Sequence, residues 1–190
     1  MSRYIAVAII LMNLLAGNVE ASPTCKPVPI EEAVRIGHGF ARKWRPRVEV
    51  LRVDTAHPPR EWEESTVPPG LDGGRCVWNL EFKDTKTHQF IMFRVANGSV
   101  TDLARDAGMN TGKGFPPESF RVSGKDLAQK ARDAGILPAK PPGTAGYSYY
   151  LNERGHGLYE VHVVGEDPKG RHAGIRVDPT TGAILADDSP

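Results

Sequence analysis

The 190-residue chain has little charge imbalance, almost no cysteine and only one long apolar run. Each scarcity excludes something. Twenty-four basic residues against 23 acidic give a net charge of +1. That balance offers no electrostatic footprint for nucleic acid or an anionic membrane. The six histidines form no H-E-x-x-H, and the serines include no G-x-S-x-G elbow. Gly112-Lys113-Gly114 lacks the rest of a phosphate loop, and Glu63 and Glu64, adjacent in sequence, need not converge as a carboxylate pair. The chain is therefore not expected to be an enzyme, and no cofactor is expected.

The apolar run is at the start. Arg3 precedes Tyr4–Gly17, which is interrupted only by Asn13, and Val19-Glu20-Ala21 follows with the short side chains a signal peptidase reads. About 14 residues are too few for a spanning helix, which needs about 20. Residues 1–21 are expected as a signal peptide, giving a periplasmic or secreted protein without stable membrane insertion. Cleavage would remove one base, Arg3, and one acid, Glu20, leaving the balance unchanged.

Both cysteines, Cys25 and Cys76, lie beyond that cut. In an oxidising compartment an exclusive pair forms one structural disulfide. It would close a loop of about 50 residues, worth on the order of 4 kcal/mol in the chain-entropy description.

Hydrophobic periodicity sets the elements. Ile30, Ala33, Val34, Gly37, Ala41 and Trp44 recur at helical steps, so Pro29–Trp44 is predicted as an amphipathic helix ended by Arg45-Pro46. A strand is predicted over Val48–Asp54. Trp78, Leu80 and Phe82 alternate, as do Ile91, Phe93 and Val95, giving a hairpin, and Asn97-Gly98 turns into a short strand over Ser99–Leu103. Ser123 caps a second helix running to about Ala134, stopped by Gly135.

Tyr147, Tyr149 and Leu151 then alternate, followed by Tyr159, Val161 and Val163, by Ile175 and Val177, and by a Thr181-Gly182 turn into Ala183–Ala186. The second hairpin is expected to pair Val161 with Ile175 and Tyr159 with Val177, setting Glu160 opposite Arg176. Element order and side-chain pattern recur about 80 residues apart, which suggests an internal duplication.

The segment Tyr159-Glu160-Val161 … Ile175-Arg176-Val177-Asp178-Pro179-Thr180-Thr181-Gly182-Ala183-Ile184-Leu185 resembles the PepSY domain, whose hairpin closes with an Asp-x-x-Thr-Gly-x-Ile/Val-like stretch. The resemblance covers Ser123–Ala186 well, and Pro29–Leu103 looks like a degenerate copy with Asn97-Gly98 in place of Thr-Gly. In architecture the layout is similar to β-lactamase inhibitory proteins. The resemblance implies an α+β protein of two repeats, each one helix packed on a small antiparallel sheet. The expected units are 22–107 and 120–190, joined by a linker over 108–119. PepSY modules are extracytoplasmic and occur in protease propeptides, where inhibition is a proposed role. No catalytic residues carry over.

The expected function is a binding protein that inhibits or modulates a protein partner such as a protease or other hydrolase; the alternative is a small-ligand or metal-binding periplasmic protein. The turn-rich segment from His57 to Gly74 has four prolines, three glycines and Trp62. Loops of this length are commonly functional, and Trp and Arg dominate binding hot spots. Arg60 and Trp62 are therefore candidate partner contacts, as is Tyr150, which alternation sends to the opposite face from Tyr147 and Tyr149. Asp54, His57, Glu61, Glu63 and Glu64 crowd the same loop and could ligate calcium or zinc, but a charge-rich loop is usually just solvated. His162 and His172 are weak metal candidates, expected as diagonal neighbours near Glu160 on an exposed sheet face.

Overall fold

A computed structural model describes residues 25–56, 70–140 and 145–187. Residues 1–21, Arg60, Trp62, His57, Glu61, Glu63 and Glu64 lie outside the described residues. The chain opens with β1 (Val28–Pro29) and helix α1 (Ile30–Trp44), followed by β2 (Val48–Thr55). Then come β3 (Gly74–Arg75), β4 (Val77–Asp84), β5 (Gln89–Ala96) and β6 (Ser99–Met109). A 3-10 turn (Pro117–Ser119) leads to helix α2 (Gly124–Asp133) and strands β7 (Ser148–Gly155), β8 (Leu158–Glu166), β9 (His172–Val177) and β10 (Ile184–Asp187).

The local signals act as the sequence reading expects. In α1, Glu31 and Glu32 occupy the first turn and Arg42 and Lys43 the last, which suits the helix dipole. Its buried side is Ile30, Ala33, Val34, Gly37 and Ala41. Gly37 allows close approach: a Cβ there would stand 2.7 Å from Leu80 Cδ2 and 2.9 Å from Phe82 Cε2. The Ser123 side chain accepts from the Asp126 amide, capping α2. Asn97 (φ 51°) and Gly98 (φ 81°) are both left-handed, as a primed hairpin turn between Ala96 and Ser99 requires.

The expected architecture of two repeats, each a helix on its own small sheet, is not what forms. One antiparallel sheet of eight strands runs in the order β10-β9-β8-β7-β2-β4-β5-β6, beside a two-stranded ribbon of β1 and β3. Two separate small sheets would each leave the first strand after the helix as an unpaired edge. Here those strands, β2 and β7, pair with each other through Val53↔Leu151 and Asp54↔Tyr150.

A single apolar row, Val177–Val161–Leu151–Val53–Leu80–Phe93, therefore crosses six strands without a break. These residues and the inner sides of both helices belong to one buried core. Leu127, Ala128 and Ala131 bring α2 into it.

At their other ends β2 and β7 diverge, and Phe115 enters the gap. Its N–H donates to the Val50 carbonyl (2.7 Å) and its carbonyl accepts from the Val50 N–H (2.9 Å). The ring packs near Tyr159, with centroids 5.5 Å apart, and Phe120, 6.4 Å apart. Phe115 falls in the stretch read as a linker, and β6 runs on to Met109 instead of ending near Leu103. β10 begins at Ile184, one residue later than expected.

The β8–β9 register also differs from the expected one. Val161 faces Val177, His162 faces Arg176 and Val163 faces Ile175. Both registers keep the apolar residues on one face, because they differ by two residues. The observed one runs from Val161↔Val177 to Glu166↔His172, so alternation alone did not separate them.

Candidate functional site

Alternation places a second row immediately beside the apolar one, on the face away from the helices. It reads Arg176–His162–Tyr150–Asp54–Asn79–Arg94 and crosses the same six strands. Among the described residues both helices lie on the apolar side, so neither helix covers this polar face. Arg52 and Arg94 are exposed, whereas Asn79, Glu81, Tyr150, Glu160, His162 and Arg176 are half-buried.

Asp54 sits at the centre and is only 8% exposed. Its Oδ2 lies 2.6 Å from Arg52 Nε. Its Oδ1 is buried and has no hydrogen-bond partner among the described residues, and the same holds for Glu160 Oε2. A buried acceptor left in this way costs about 1–3 kcal/mol of desolvation.

The neighbouring strand adds another carboxylate. Arg52 faces Glu81 across β2 and β4. Burial pushes the Glu81 carboxyl above its ordinary range; Arg52 opposes the shift and Asp54 reinforces it. The hydrogen bond that Arg52 donates to Asp54, with further attraction from Asp54, Glu81 and Tyr150, holds the Arg52 guanidinium protonated more firmly than usual against its own burial. These four side chains thus form one electrostatic cluster.

The two flanks are more fully paired. Arg94 Nε donates to Asn79 Oδ1 (3.2 Å), and Arg94 lies 3.4 Å from Asp102. Lys83, buried, bonds the Gly112 carbonyl and lies 3.7 Å from Glu49, which accepts from the Gly114 N–H at 3.1 Å.

Tyr150 is where its alternation sends it, on the open face between Asp54 and His162, while Tyr147 and Tyr149 are fully buried. Their hydroxyls donate to the Ile136 and Gly70 carbonyls at 2.8 and 2.7 Å. His162 and His172 are not brought together: His162 faces Arg176, and His172 stands four residues away along β9, facing Glu166. Among the described residues no group of three or more His, Cys, Asp or Glu side chains is placed to hold a metal.

Asp54 lies inside β2, as the strand expected over Val48–Asp54 has it, and not in the charged loop it was also grouped with. Arg52, Asn79, Glu81 and Arg94 were not singled out. The polar half of each strand's alternation carried the signal, but no local pattern told which strands stand side by side.

Cys25 and Cys76 form the expected disulfide, with Cα atoms 5.4 Å apart. It packs with Ala56, Val77 and Ala96 at the end of β2 and β4. The Trp78 indole N–H donates 2.8 Å to the Val28 carbonyl, fixing the same N-terminal segment. A separate cleft of about 390 Å³ lies between α2 and the β9–β10 turn, lined by Arg121, Asp126, Lys130 and Thr181 among others.

No family model matches the chain, and no curated protein matches it. Among solved structures, the crystal structure of "a putative lipoprotein" from Clostridium difficile 630 superposes with a TM-score of 0.49 at 7% identity, covering 79% of this chain and 88% of that one. Among the described residues no helix is long and apolar enough to cross a membrane.

Proposed function

We propose that this is an extracytoplasmic, non-enzymatic binding protein that inhibits or modulates a protein partner, such as a protease or other hydrolase, through the open face of its sheet. The observation that carries the reading is the polar row Arg176–His162–Tyr150–Asp54–Asn79–Arg94, laid across six strands on the face the helices leave uncovered. A broad face set with Tyr and Arg and a polar surround suits a protein interface, where such side chains carry most of the affinity. The extracytoplasmic part of the reading is supported by the Cys25–Cys76 disulfide, together with the signal-like residues 1–21. The PepSY-like residues of Ser123–Ala186 add the inhibitory sense.

The test is capture from an extracytoplasmic extract by the exported, disulfide-bonded protein, with mass spectrometry, against a Tyr150→Arg/Arg94→Glu variant of unchanged thermal stability. One enriched protein, lost with the variant and reduced in its own activity by the wild type, is the expected result. Equal capture by both forms would overturn the use of this face.

A further inference from the structure

We propose that the β10 edge of the sheet is a docking surface for a second copy of this chain, whose own β10 pairs with it antiparallel about a two-fold axis. The edge lies apart from the central polar row, so the proposal stands independently of the binding reading above.

The edge is both unpaired and apolar. β10 (Ile184–Asp187) is the outermost strand of the eight and pairs only with β9. Such an edge presents N–H and C=O groups that another strand can use. Ile184 faces Val177, so it carries the buried apolar row to the rim of the sheet, where it is 50% exposed. Leu185 beside it is 40% exposed.

The opposite rim is blunted. β6 follows β5 in a register broken at two places, and Asp102 within it takes a left-handed backbone (φ 49°). Bulges and charges of this kind discourage strand addition. β10 has a single irregularity, between Ile184 and Ala186, and no charged residue before Asp187.

Register and charge select the occupant. Ile184 faces Val177 and Asp187 faces Ile175, so both positions belong to the helix side of the sheet. Residues opposite each other in an antiparallel pair share a face. The two-fold pairing that respects those faces sets Ile184 opposite Asp187 of the second copy, about 5 Å away, and Leu185 opposite its Ala186.

That end of β10 adjoins the cleft between α2 and the β9–β10 turn. Lys130 of the cleft wall comes close to Gly182, two residues before Ile184: a Cβ on Gly182 would stand 3.9 Å from Lys130 Cε. Among the described residues neither Lys130 nor Arg121, which also lines the cleft, is ion-paired. Asp126 and Asp133 share the wall, so the cleft carries no excess of positive charge; what counts is the place of Lys130 at the start of the strand. The second copy's Asp187 arrives there, and the two-fold axis repeats the pair. A strand from a different protein lacks this reciprocity. With four residues paired on each side the interface is small, and a dissociation constant on the order of 100 µM is expected.

Sedimentation velocity of the exported, disulfide-bonded protein, over concentrations from well below to well above that value, tests the proposal. A reversible passage from monomer to dimer is expected, with hydrogen-exchange protection of the β10 amides rising in step. Ile184→Lys/Leu185→Lys changes two exposed side chains, so it should keep the melting temperature of the dilute protein and weaken association at least about tenfold. Lys130→Glu and Asp187→Lys should each weaken association about tenfold, and the two combined should restore it. A monomer at every concentration, or association untouched by the paired lysines, overturns the proposal. Association abolished by the paired lysines but indifferent to Lys130→Glu and Asp187→Lys overturns the antiparallel register stated here.

Discussion

The Thr55 hydroxyl joins the two halves of the sheet to Tyr149: it donates to the Tyr149 carbonyl at 3.1 Å and accepts from the Tyr149 N–H at 2.8 Å. A side chain thereby replaces a ladder bond where β2 and β7 have only two paired positions. Thr55→Val keeps the shape and leaves both Tyr149 groups unsatisfied. We expect a loss of about 1–3 kcal/mol in chemical denaturation, faster hydrogen exchange at the Tyr149 amide, and recovery in Thr55→Ser. Unchanged exchange in the valine variant would show that the hydroxyl does not hold this seam.

The disulfide acts mainly on the unfolded chain. Its cysteines are separated by 51 residues, so Cys25→Ser/Cys76→Ser is expected to cost about 4 kcal/mol. Reduction of the wild type should lower its melting temperature to that of the double variant. A wild type whose melting ignores reductant would contradict the expectation.

Gly73 has a left-handed backbone (φ 83°), and a Cβ there would stand 1.9 Å from the carbonyl carbon of Gly124, the first residue of α2. Gly124 also donates to Glu31 of α1 at 2.8 Å, so this contact helps dock the two helix starts together. Gly73→Ala adds backbone strain to a clash with main-chain atoms. A loss of at least about 2 kcal/mol is expected, measured by urea denaturation; Gly98→Ala, with open space around the new methyl group, should cost less.

Glu81 supplies a pH test. Its folded carboxyl is raised, with burial the largest cause, so the folded state holds the proton more firmly than the unfolded one. Stability therefore falls as pH rises through the raised value. Glu81→Gln should melt higher than wild type at neutral pH. That advantage should shrink on acidification and vanish below the ordinary carboxylate range, where Glu81 is protonated in both states. An advantage independent of pH would mean that packing, not charge, is responsible.

Much of the secondary structure was legible because its causes are local. The α1 stripe from Ile30 to Ala41, the Ser123 cap, the Asn97-Gly98 turn and the inward Tyr147 and Tyr149 all act within a few residues. The partition of faces was legible too, and Tyr150 was sent to the open side by alternation alone. The β8–β9 register was not, because a shift of two preserves that alternation and leaves Val161 and Val163 equally suited to either partner.

The candidate site was less readable still. Asp54 was read as the last residue of a strand and grouped with the charges of the loop after it, yet its row exists only through pairing with Tyr150, 96 positions away in the chain. Bringing His162 and His172 together depended on the register that did not form.

By itself the sequence determined the helices, the strands with their apolar and polar sides, and the two cysteines available to bond. Only the tertiary structure decided that the strands form one sheet instead of two. Backbone edges carry the same donors and acceptors whatever side chains flank them, so the choice of β2 for β7 is made by the packed whole: the Thr55–Tyr149 bonds, Phe115 in the gap and the continuous apolar row beneath. That choice also put Asp54 beside Tyr150.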